Sequence, residues 1–176
     1  FVLESVNTAE RVDVHLSGPG AEPDETSYRA VRHLLRCLRS GAESPIDPRL
    51  IELLHRIAQR THSKIQLVSG FRAPTNPTDL NYHVRGMAAD IRIPGMSALS
   101  VRDLVRSMGV TGVGYYPTSQ FVHLDLREQP YFWTDYSGPG QSGDGEGEYA
   151  PAAAANPAIA AGPPAAAAGP APGSAA

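Results

Sequence analysis

The rhythm of apolar and polar residues changes several times along the chain, and each rhythm predicts an element. Val12, Val14 and Leu16 fall on one face of an alternating stretch, and Asn7-Thr8-Ala9-Glu10 supplies a turn. Residues 1–16 therefore predict a short β-hairpin. Ser17-Gly18-Pro19-Gly20 breaks it. The spacing then becomes helical. Val31, Leu34, Leu35 and Leu38 follow Asp24, a good N-cap, and predict an amphipathic helix over residues 25–39 that ends by Gly41. Asp47-Pro48 starts a second helix. The carboxylate accepts from free N–H groups, and proline in the first turn forfeits no hydrogen bond. Leu50, Leu53, Leu54, Ile57 and Ala58 form its apolar face.

Alternation returns at Ile65, Leu67 and Ser69, a strand that Gly70 ends. Residues 88–93 read as another, stopped by Pro94-Gly95. Ser97 or Ser100 caps a third helix carrying Val101, Leu104, Val105 and Met108. Residues 113–116 and 120–126 read as two antiparallel strands joined by Pro117-Thr118-Ser119. The order hairpin, helix, helix, strand, strand, helix, strand, strand is an α+β pattern, and a small antiparallel sheet with packed helices is expected. After residue 136 the pattern is lost: SGPGQSGDGEGEYAPAAAANPAIAAGPPAAAAGPAPGSAA offers almost nothing to pack. Its repeated prolines also argue against helix in the alanine runs. Residues 1–136 are thus expected to form one domain, and residues 137–176 a disordered Gly/Ala/Pro-rich tail.

Charge sharpens this division. The chain has 176 residues and a net charge of −3, and the charges after Thr134 are all acidic: Asp135, Asp144, Glu146 and Glu148. The domain itself is near neutral, which excludes a nucleic-acid footprint. A single cysteine, Cys37, excludes an intrachain disulfide, and its leucine neighbours predict a buried thiol. No apolar run approaches the ~20 residues of a membrane helix, and no secretion signal is seen in this chain. A monomer is expected.

The candidate chemistry lies in two stretches. In NYHVRGMAAD, residues 81–90, His83 precedes Asp90 by seven positions with Gly86 between them. Gly86 permits the sharp turn that brings both side chains to one point, with Asp90 at the start of a strand. In FVHLDL, His123 and Asp125 share a strand face, while Val122, Leu124 and Leu126 take the other. Two histidines and a carboxylate form a zinc set with a fourth position open for water, the arrangement of a catalytic site. Zinc lowers the pKa of such a water toward ~7. Arg72 follows a strand end and Gly70, where a guanidinium can clamp a carboxylate or steady an oxyanion. One of Tyr115 and Tyr116, just before the turn to His123, is placed to donate to a tetrahedral intermediate. The other four histidines, His15, His33, His55 and His62, read as surface or partly buried residues.

SGFRAPTN, then H-x-x-G-x-A-x-D at His83, Gly86, Ala88 and Asp90, then GVGYYPTSQFVHLD resemble the YcbK-like branch of the zinc D-Ala-D-Ala metallopeptidases. That superfamily includes the VanX dipeptidases and shares its zinc-site fold with the hedgehog signalling domain. The resemblance covers residues 1–133. It implies one zinc ion held by His83, Asp90 and His123, with Arg72 on the substrate. It implies peptidoglycan stem peptides or cross-links as substrate, and a periplasmic or secreted location.

The chain departs from the wider superfamily at the base. The VanX-like and carboxypeptidase branches place E-x-x-H or H-x-H at the third ligand; here the corresponding residues are Gln120 and Phe121, and neither takes a proton at neutral pH. Asp125 is the candidate acid/base by its shared face, with orientation of His123 as its other role. Asn81 stands where the family usually has serine, and the loop over residues 73–81 is shorter than in this branch. The expectation is zinc-dependent hydrolysis of peptidoglycan peptides. The alternative is a non-catalytic zinc-containing module that binds cell-wall peptide.

Overall fold

The computed structural model describes residues 1–16, 22–138, 141 and 146–149. The predicted hairpin is β1 (Val2–Ser5) and β2 (Arg11–Asp13), paired antiparallel. Helix α1 (Glu25–Leu34) follows, capped by Asp24, whose carboxylate accepts from the Ser27 N–H. It stops short of the predicted residue 39, because the chain turns at Leu35 and the Leu35 carbonyl is taken by the Phe71 N–H at 2.7 Å. Helix α2 (Pro48–Thr61) is capped by Asp47 as its sequence demands. Next come β3 (Ile65–Ser69), β4 (Ala88–Arg92), and α3 (Ala98–Ser107) capped by Ser97. β5 (Gly112–Tyr116), β6 (Phe121–Asp125) and β7 (Tyr131–Thr134) follow.

The sheet corrects the expectation of a small antiparallel one. It has eight strands in the order β2-β1-β3-β4-β6-β5-β7-β8 and is mixed. β1 and β3 are parallel because two helices separate them and carry the chain back to the same end. β7 is parallel to β5 for a similar reason: the chain leaves β6, crosses the end of β5 and runs up its far side. Strand β8 (Glu146–Tyr149) falls in the stretch expected to be disordered. It pairs antiparallel with β7, since backbone pairing at a sheet edge needs no apolar side chains. The break expected at residues 17–20 lies outside the described residues, as does the expected tail beyond residue 149.

Alternation divides the sheet into two faces. Leu3, Ile65, Leu67, Ile91, Ala89, Val122, Leu124, Val113 and Phe132 are cross-strand neighbours on one face and are all buried. They pack with Leu50, Ile51, Leu54 and Ile57 of α2 and Val101 and Val105 of α3 in a continuous core. Cys37 is buried at its edge and free. The opposite face carries two polar rows that run across the strands. One is Ser69, Asp90, His123, Gly114 and Trp133; the other is Ala88, Asp125, Gly112 and Tyr131. Among the described residues no helix is long and apolar enough to cross a membrane.

Candidate metal centre

Asp90 lies in the middle of β4, not at its start, and is directly opposite His123 of β6. Residues this close across a ladder bring their side chains together. His83 arrives from a turn over residues 82–86. Asn81 organises that turn, accepting from the Val84 N–H at 3.1 Å, and the Met87 N–H reaches the Tyr82 carbonyl at 2.9 Å. Gly86 has φ +67°, and a Cβ there would sit 2.1 Å from the Pro45 carbonyl oxygen. The turn is therefore pressed against the lead-in to α2, and the Asp47 N–H donates to the Gly86 carbonyl at 3.0 Å. No side chain fits at this position.

The three groups converge. His83 Nε2 is 3.0 Å from His123 Nδ1 and 3.4 Å from Asp90 Oδ1, and His123 Nδ1 is 2.9 Å from Asp90 Oδ1. All three residues are buried, and their ligand atoms lie within 4.8 Å of one another. The outer ring nitrogens are occupied as well. His83 Nδ1 meets the Gly70 carbonyl at 2.7 Å, and His123 Nε2 meets Asp125 Oδ2 at 3.0 Å. An imidazole that donates its outer N–H to an oxygen turns a lone pair inward. Two nitrogen lone pairs and a carboxylate then face one point, an arrangement that repels itself unless a cation sits among them. The donor set therefore fits a zinc ion.

Burial and neighbouring charge pull these groups in opposite directions. Burial holds His83 below its ordinary value, against the pull of Asp90. Burial opposes charge on His123 too, but hydrogen bonds to Asp125 and Asp90 outweigh it and raise the ring. Burial would raise Asp90, yet the two histidines hold it well below the usual carboxylate range. Asp125 also resists burial: hydrogen bonds from Arg127 and His123 hold it at about 2.

The remaining candidates divide. Arg72 reaches the centre: Nη2 donates to Asp90 Oδ2 and Nε donates to Ser69 Oγ at 3.0 Å, while the side chain stays half-exposed. Asp125 lies on the outer side of His123 with both oxygens engaged by Arg127, at 2.8 and 2.5 Å. Tyr116 faces the site, stacked on Phe121 at 4.3 Å and accepting from Trp133 Nε1 at 3.2 Å. Tyr115 is not brought to the site. Adjacent strand residues point to opposite faces, and its ring lies under the Arg102 guanidinium of α3 at 5.1 Å. Gln120 is a turn residue with φ +54° whose amide binds the Pro117 carbonyl, so it offers nothing to the centre.

Arg127 escaped the reading of the sequence, and so did the roles of Trp133, Gly114 and Gly112. Trp133 lays its ring 5.1 Å from His123. A Cβ on Gly114 would meet that indole at 2.5 Å, and one on Gly112 would meet Asp125 Oδ1 at 1.9 Å. The available signal was GVG in register with HLD: two glycines spaced by two clear one strand face opposite two polar residues.

The buried His83/Asp90/His123 cluster on the polar face of an α+β sheet is of the kind that could hold a metal ion. The family described as Peptidoglycan L,D-endopeptidase MepK, Peptidase_M15_2, matches residues 1–129. The chain is 32% identical over 138 residues to the peptidoglycan L,D-endopeptidase MepK of Escherichia coli K12, covering 71% of this chain and 75% of that one. It is 30% identical over 139 residues to the probable peptidoglycan L,D-endopeptidase MepK of Haemophilus influenzae, covering 71% and 74%. No solved structure gives a significant match. The chain belongs to the Peptidase_M15_2 family and is a peptidase.

Proposed function

We propose that this chain is a zinc-dependent endopeptidase acting on peptidoglycan peptides in the periplasm or outside the cell. The observation that carries the reading is the convergence of His83 Nε2, His123 Nδ1 and Asp90 Oδ1, with each outer ring nitrogen already hydrogen-bonded. The names of the relatives point to an L,D bond as the one cut. Zinc bound there would polarise a carbonyl and make a nucleophilic water available near neutral pH.

The chain's own residues supply the rest. Gly70 and Asp125 fix the two imidazoles, and Arg72 fixes Asp90. Arg72 uses Nε and Nη2 for these contacts, so its exposed edge remains for a substrate carboxylate or carbonyl. Asp125, fully buried and doubly engaged, orients His123 instead of carrying protons. The Tyr116 hydroxyl stands on the site face, and burial raises it, so it is a neutral donor at physiological pH.

Digestion of purified muropeptides, followed by mass spectrometry of the products, tests the proposal. Zinc-loaded wild type releases new amine ends at stem-peptide or cross-link bonds, while Asp90→Ala takes up no zinc and releases none. Release of no product at any zinc loading would favour the peptide-binding module, and zinc uptake by Asp90→Ala with unchanged affinity would overturn the site.

A further inference from the structure

We infer that Arg127 is a positioning residue that sets the geometry of both histidine ligands at once. The zinc reading above supplies only the identity of the ion. The first connection runs through Asp125. Arg127 grips that carboxylate with Nε at 2.8 Å, Nη2 at 2.5 Å and its backbone N–H at 3.0 Å. Asp125 in turn holds His123 Nε2 at 3.0 Å, which turns Nδ1 toward Asp90 and His83. A forked guanidinium locks a carboxylate in plane as well as in place, so the plane of Asp125 directs the His123 N–H. Gly112 adds to the constraint, because the Asp125 carboxylate occupies the volume a Cβ there would need.

The second connection runs through aromatic rings. The Arg127 guanidinium lies 5.2 Å from Tyr82, 5.2 Å from Tyr131 and 5.1 Å from Trp133. Tyr82 immediately precedes His83 in the turn that delivers it, and the Tyr82 carbonyl closes that turn. Trp133 flanks the His123 ring. Cation–π contact at this range favours a fixed guanidinium. One side chain thus touches the support of His83 on one side and the support of His123 on the other. These two ligands are forty residues apart in sequence, and their inward nitrogens must meet within about 3 Å. Nothing in the H-x6-D spacing signals this role, because Arg127 follows the last ligand by four positions on the opposite side of its ring.

The test uses the full chain as wild type, Arg127→Ala, Arg127→Lys, Asp125→Asn, and Asp125→Asn with Arg127→Ala. Zinc affinity is measured by competition with a chromophoric chelator, and ligand geometry by the visible absorption bands of the cobalt-loaded protein. Arg127→Ala is expected to weaken zinc about 10–100-fold and to shift the cobalt bands. Arg127→Lys recovers only part of the loss, because an ammonium cannot span both oxygens. The double variant is expected to bind more weakly than Asp125→Asn, since the ring contacts do not pass through Asp125, but by less than the two single losses combined, since the Asp125 contact is shared. Wild-type zinc affinity in folded Arg127→Ala overturns the inference, and so does weaker binding with unshifted cobalt bands. If Arg127→Ala does not fold, Arg127→Lys is judged by the same two criteria. A wild type that binds zinc but cuts no peptide overturns the proposed function alone, leaving these affinities to decide the role of Arg127. A wild type that binds no zinc overturns both.

Discussion

Asp90 commits its two oxygens differently: Oδ1 faces the histidines and Oδ2 accepts from Arg72. That division explains why an arginine stands here. A buried carboxylate with one oxygen unpaired is costly, and Arg72 satisfies it while keeping half of its own side chain in solvent. Its remaining edge is then the cation nearest the centre. Arg72→Ala is expected to lower kcat/KM on muropeptides by about 100-fold or more, with one zinc still bound per chain. Steady-state kinetics beside metal analysis would check this, and full activity in Arg72→Ala would remove Arg72 from the substrate. Residue types and spacing singled out Arg72, His83, Asp90 and His123 in the sequence, and the fold brings these four together. The surroundings of Asp125 were not legible: a shared strand face allows either a base or an orienting partner, and the Arg127 contacts that favour the second lie outside that pattern.

At the scale of elements, helix starts were the most legible features, because a cap is a local bond. Asp47 accepts from the Arg49 N–H at 2.9 Å and pairs with the Arg49 guanidinium. Burial would raise its pKa, but those Arg49 contacts lower it from the ordinary 3.8. A depressed folded value means that the stabilisation is fully present above the unfolded value and lost as the pH falls through the folded one. Asp47→Ala is thus expected to cost about 1 kcal/mol near neutral pH. The gap from wild type should close progressively below about pH 4. Urea melts of the metal-free proteins at pH 7 and pH 3 would show it, and an undiminished gap at pH 3 would contradict the capping role. The strands were legible as segments but not as partners. β7 carries no clean alternation in YFWT, and β8 is Gly- and Glu-rich; both owe their existence to an available sheet edge.

For the whole molecule, the centre joins three separate pieces of chain: the turn holding His83, strand β4 and strand β6. An ion bound only by the folded state stabilises that state, by about 2.7 kcal/mol at a hundred times its Kd. For a chain of this size that corresponds to a rise in Tm of roughly 5–10 °C. Calorimetry with and without zinc would measure the rise, and His83→Ala should abolish it; an equal rise in His83→Ala would place the ion elsewhere. The amphipathic helices, the caps, the turn glycine and the candidate ligand types are local properties, written in neighbouring residues and readable without a fold. Long-range matters belonged to the tertiary structure alone. It decided that β1 runs parallel to β3 and β7 to β5, and that Tyr116 faces the centre while Tyr115 does not. It also decided that His83 offers Nε2 and His123 offers Nδ1. The physical reason is the same in each case. A side chain's direction follows from its own strand, but what it meets there depends on sheet order and on groups far away in sequence, as Gly70 is for His83.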